Sequence, residues 1–330
     1  MSHPELVKQA IDGLQDYKQA LIDMHADVVS PIDVGNIRER LVDEGYITHS
    51  PLITIPYSVE RISAADRLID TVPWTDPFTV EGINEALKKA IRRESGESAW
   101  RVGFPTAFWS TVLDVAVRFD DYTSNEADFG ETYARGKAIA EVAHELAHSA
   151  FAGVSSSRFS KGDGQRVHVQ AGLCISQEQQ SSLLSPGSGF VPKYQPMWIN
   201  EAVANHAAAE VRAAVHPQSI PKEPILWEGC LAKFYGVDSL ELSPRYLIYS
   251  DEFPDDPGTL SGAEGVGMDI LAAKIPSLLP DVKALTSGRL ALSAFHDKLR
   301  NQIGTELHAD ITERRPYGTW GSILEQIKRL

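Results

Sequence analysis

The chain has 330 residues, of which 43% are hydrophobic, and its 31 Lys plus Arg stand against 45 Asp plus Glu for a formal charge of -14. That composition is ordinary for a soluble globular protein with one large core or two modest ones, and its acidity would repel a nucleic-acid backbone over most of the surface. Two cysteines, Cys174 and Cys230, can supply neither a disulfide framework nor a cysteine-rich metal knuckle, so both are expected to pack as small apolar side chains.

The opening stretch "MSHPELVKQAIDG" has no basic segment followed by an apolar one, and no run of about 18 uncharged apolar residues occurs. A cytoplasmic protein with no membrane partner is expected. From Pro4 to about Gly96 apolar residues recur at three- and four-residue steps, as in Leu6, Ala10, Leu14, Tyr17 and Leu21 or Ile83, Leu87 and Ile91, which predicts a helical N-terminal region over 1–97. "STVLDVAVRFDD" then alternates, with Leu113, Val115, Val117 and Phe119 on one face and Asp114, Ala116, Arg118 and Asp120 on the other, as a half-buried strand does.

A helix is predicted from about Thr132 to Ala150, stopped near Gly153 by the serine-rich "VSSSRFSKGDGQ". The alternating run "RVHVQAGLCIS" reads as a second strand, "SSLLSPGSGFVPKYQP" as an irregular loop, and "WINEAVANHAAAEVRAAV" as another helix. Beyond "SDEFPDDPGTLSG" the pattern is helical to the end, and no repeat or low-complexity tract is present. The expected fold class is α+β: a small twisted sheet with a helix pair at its centre, spanning 98–250, and helical regions over 1–97 and 251–330.

Within the first central helix lies "HELAH", His144 to His148. Residues four apart on a helix share a face, with Cβ atoms about 5–6 Å apart, so both imidazoles can reach one ion at Zn–N distances of about 2.0–2.1 Å. Glu145 stands about 100° round the helix, free to act as general base on a metal-bound water without occupying a ligand position. The neighbours Val142, Ala143, Leu146, Ala147 and Ala150 are uncharged, as a buried metal-bearing helix requires.

A catalytic zinc needs a third protein ligand and an open position. The histidine of an HExxHxxGxxH motif is excluded, because Phe151 and Val154 occupy the positions of its glycine and last histidine. Glu201 in "WINEAVANH" is the main alternative, a lone charge in an alanine-rich helix with no other charge before Glu210. His206, about 140° round that helix from Glu201, and His168 on the second strand compete for the role.

Together "HELAH" and "NEAVANHAAAE" resemble the glutamate-liganded zinc metallopeptidases, the gluzincins, over the middle third of the chain. The "WINEA" run looks like that of thermolysin-like and aminopeptidase-N-type enzymes, and the "ExxAN" spacing like that of ImmA/IrrE-type peptidases. The resemblance implies a zincin-like core, zinc held by His144, His148 and Glu201, and Glu145 as base in peptide hydrolysis. It also gives Asn205 the place of a residue supporting a ligand histidine, where thermolysin-like enzymes carry aspartate. An amide can accept the histidine N–H but brings no charge to polarise it.

Gluzincins commonly add a Tyr or His donor to the oxyanion; "SPRYLIYSDEF" offers Tyr246 and, second to it, Tyr249. In the resembled fold the substrate pairs with an edge strand near the metal, and "TVLDVAVRF" is either that strand or a plain core strand. The sequence thus leads to a zinc metalloendopeptidase acting on a peptide or protein substrate. The alternative is a catalytically silent zincin-like binding or regulatory protein whose zinc is structural.

Overall fold

The structure is a computed structural model describing residues 31–48, 51–56, 107–110, 115–150, 156–160, 166–170, 198–255, 257–260, 262–313 and 317–330. In chain order its first elements are α1 (Val34–Asp43), β1 (Leu52–Pro56), β2 (Ala107–Ser110), β3 (Val115–Asp120), α2 (Tyr122–Phe129), α3 (Glu131–Ala150), β4 (Ser156–Ser160), β5 (Arg166–Gln170) and α4 (Trp198–Val215). There follow β6 (Ile225–Glu228), α5 (Cys230–Phe234), β7 (Ser239–Leu242), β8 (Leu247–Ile248) and β9 (Gly258–Thr259). The chain closes with α6 (Ala263–Lys274), α7 (Leu278–Thr286), α8 (Leu292–Ile303), α9 (Thr305–Thr312) and α10 (Trp320–Arg329). The fold is a helix-rich α+β arrangement with small sheets, and no described helix is long and apolar enough to cross a membrane.

The centre is the pair α3 and α4. Both are rich in alanine and buried round most of their circumference, from Ala138, Val142, Ala143, Leu146 and Ala147 on α3 to Ile199, Ala202, Val203, Ala204 and Ala207 on α4. A helix apolar on all sides belongs inside the protein, and small side chains let the two backbones approach closely. On one side α1 packs on both, its first turn capped by Asp33, whose carboxylate accepts the Asn36 N–H at 3.0 Å. On another side α6 packs on α4 so tightly that a Cβ on Gly267 would lie 2.6 Å from the Trp198 ring. Trp198 and Gly267 therefore fix how near α6 comes to α4.

A three-stranded sheet, ordered β1-β3-β2, lies against α3, with β1 parallel and β2 antiparallel to β3. This corrects two expectations. The segment "LITIP" lies within the region expected to be helical, yet its β-branched residues form β1, and Leu52 to Pro56 pair with Ala116 to Asp120. A boundary at residue 97 consequently divides one sheet. Strand β3 is central, hydrogen-bonded on both sides, so it cannot take a peptide as an added strand.

The polar side of the β3 alternation is buried at Ala116 and Arg118. Arg118 is 1% exposed and lies 2.7 Å from Asp120, 3.6 Å from Asp121 and 3.5 Å from Glu141 of α3. Lys137 joins the same group through Asp121 at 2.7 Å and Glu141 at 2.5 Å. The cluster sets the rotation of α3 against the sheet. The serine-rich stretch expected to end α3 supplies β4, paired antiparallel with β5, and the predicted strand at 166–176 is described as far as Gln170. The predicted helices before residue 31, the second helical run near residue 87, the 181–196 loop and Cys174 lie outside the described residues.

Candidate metal centre

Helices α3 and α4 bring three ligand-bearing side chains to one point. His144 and His148, one turn apart on α3, direct their Nε2 atoms to within 3.0 Å of each other, with the rings edge to face. From α4, Glu201 places Oε2 at 3.3 Å from His144 Nε2 and Oε1 at 3.5 Å from His148 Nε2. Ligand atoms bound at about 2.0–2.1 Å to one tetrahedral ion lie about 3.3 Å apart; the two Nε2 atoms are 3.0 Å apart, and each imidazole has a different Glu201 oxygen within 3.3–3.5 Å. The group can hold a metal ion, and among the described residues no other group of three or more His, Cys, Asp or Glu ligands converges this closely.

The electrostatics suit a cation between these side chains. Burial pushes the Glu201 carboxyl up, but the His148 charge and hydrogen bonds from both imidazoles outweigh it and hold the group well below the usual carboxylate range. Burial pushes His144 down, and the hydrogen bond to Glu201, the charges of Glu145 and Glu201 and a hydrogen bond with Asn205 overcome it, lifting the ring to about 9. His148 is lowered, by burial first and by the neighbouring His144 charge, against the pull of Glu201. The raised His144 ring and the depressed Glu201 carboxyl both favour positive charge at this point. The side chains remain 12–19% exposed.

Glu145 is 8% exposed beside His144, close enough for its charge to be felt by that ring. Asn205 hydrogen-bonds His144 and donates through Nδ2 to Oε1 of Glu264 at 3.2 Å. Glu264 of α6 is a component that sequence reasoning missed. It is 5% exposed and its carboxyl is raised to about 7, by burial above all, against hydrogen bonds from its own and the Gly262 backbone N–H. Tyr235 is buried against the same carboxyl, its phenol pushed well above the usual range by burial and by Glu264.

Tyr246 is placed elsewhere, which corrects its expected role. It is 1% exposed and its hydroxyl donates to Asp269 Oδ1 at 2.8 Å, beside His206, whose Nδ1 lies 3.1 Å from the same oxygen. This acceptor occupies the hydroxyl, and His206 stands about 140° round α4 from Glu201, on a different face. His206 meets Asp269 and approaches Glu210 at 3.9 Å, and it is not among the three side chains that converge. Tyr249 is half-buried and anchored by its backbone N–H to Ser219, which packs on Gly136, two turns before His144 on α3. His168 lies on β5 opposite Arg158.

Comparison with protein-family models, with curated proteins and with solved structures finds no match for this chain.

Proposed function

We propose that the protein is a zinc-dependent metallopeptidase with a zincin-like core, hydrolysing peptide bonds in a protein or peptide substrate. The observation that carries this is the convergence of two imidazole nitrogens and one carboxylate on one point, with a glutamate directly after the first histidine. Two imidazoles and a carboxylate suit zinc, and a catalytic site keeps one position open to solvent. His144, His148 and Glu201 would hold the ion. When bound, zinc supplies a Lewis acid that polarises a carbonyl and brings the pKa of a water to about 7. Glu145 takes the proton from the attacking water and delivers it to the leaving amine.

Metal analysis and peptide hydrolysis test the proposal together. The purified chain is expected to carry about one zinc. Glu145→Gln retains the metal and loses about 10²–10⁴-fold in hydrolysis of a mixed fluorogenic peptide library. His148→Ala loses the metal as well. Full activity in Glu145→Gln, or stoichiometric zinc in His148→Ala, would falsify the assignment.

A further inference from the structure

Asn205 is an amide, and its two ends have the same shape but opposite hydrogen-bonding character. A histidine whose Nε2 faces a metal carries its proton on the other ring nitrogen, and the supporting group must accept that proton. Only the oxygen end of Asn205 can do so. With the amide turned over, donor would face donor.

Glu264 decides between the two. Its Oε1 accepts the Asn205 Nδ2 at 3.2 Å and the Gly262 N–H at 3.2 Å, and as an acceptor it can be met only by the NH₂ end of the amide. Taking this carboxyl out of water, at 5% exposure, carries a desolvation cost that its partners, Tyr235 among them, only offset. An apolar side chain of that size would avoid this cost, so a carboxylate here calls for a role beyond packing. The close seat of α6 on α4, set one turn away by Gly267 against Trp198, brings the carboxylate to the amide.

We propose that Glu264 is a positioning residue for the metal centre: by holding the NH₂ end of Asn205 it turns the amide oxygen toward His144, fixing the proton and orientation of that imidazole for metal binding. This rests on the zinc proposal above and extends the support of the ion through α4 into α6. The arrangement replaces the aspartate of the resembled enzymes by two residues. An aspartate at 205 would need no such help, because both of its oxygens accept.

The test is zinc affinity, measured on the full chain by competition with a chromophoric chelator in wild type, Glu264→Met and the double variant Asn205→Asp/Glu264→Met. Glu264→Met is expected to bind zinc about 10–100-fold more weakly, and the double variant to recover most of that loss. A purely packing role for Glu264 gives neither result. Wild-type affinity in Glu264→Met, or a double variant no tighter than Glu264→Met, overturns the proposal. Should Glu264→Met not fold, Asn205→Leu removes the accepting oxygen itself and is expected to show the same loss; unchanged affinity there overturns the relay. A wild type that takes up no zinc overturns the zinc proposal and this one with it, whereas failure confined to the variants overturns this one alone.

Discussion

Glu201 and His206 lie five residues apart on α4, about 140° round its axis, and each stands among histidines and carboxylates. Around His206 the acids have a resident cation: Arg245 pairs with Glu210 and lies 3.3 Å from Asp269, which also accepts the Tyr246 hydroxyl. Around Glu201 no lysine or arginine among the described residues forms an ion pair with the carboxylate, whose partners are two imidazoles. Taking a carboxylate out of water requires compensation. On one face the fold supplies it with Arg245, and on the other with two imidazoles whose arrangement can also hold a metal ion. Composition therefore does not separate a structural ion-pair cluster from a metal centre; the built-in cation does.

Zinc itself gives the largest expected difference between the faces. At a free concentration of about 1,000 times its dissociation constant it should stabilise the wild type by about 4 kcal/mol, and His148→Ala should abolish the effect. Urea unfolding with and without a chelator measures it. An unfolding midpoint indifferent to zinc in the wild type would erase the distinction between the faces.

Arg245→Met addresses the other face. Arg245 and its two acids are 26–38% exposed, so solvent screens part of the interaction. Loss of the charged hydrogen bonds is expected to cost about 2 kcal/mol of stability, with zinc affinity unchanged. Zinc titration and urea unfolding of the same preparation report both quantities, and a tenfold fall in affinity would show that the two faces are coupled.

The parts of the site legible in the sequence are those fixed by local geometry. The four-residue spacing of His144 and His148 is a property of one helix, and Glu201 stands out as a lone charge among alanines. The same signal surrounds Glu264 in "SGAEGVG", a single carboxylate among small residues, and could have marked it before the structure did. Its link to Asn205 depends on how α6 seats on α4, 59 residues further along the chain, which no local pattern encodes. Alternation in β3 gave the strand, but Arg118 faces inward because Asp120, Asp121 and Glu141 meet it there. The helical periodicity expected up to residue 97 missed β1, a five-residue strand whose partner lies more than fifty positions away.

Tyr246 carries the smallest expected effect and the sharpest division between the two faces. Its phenol is held well above the usual range, by burial first and then by the charge of Asp269, so it remains a neutral donor to that carboxylate. Tyr246→Phe removes one hydrogen bond, while Asp269 keeps His206 at 3.1 Å and Arg245 at 3.3 Å. The stability loss should be about 1 kcal/mol. An oxyanion donor behaves differently, since its removal costs about 10²–10³ in kcat. Peptide hydrolysis by Tyr246→Phe at saturating zinc is therefore expected to stay within about twofold of wild type, because the hydroxyl is spent on the face that already has its cation. A hundredfold fall in kcat with zinc still bound would return Tyr246 to the chemistry and remove the separation of the two faces.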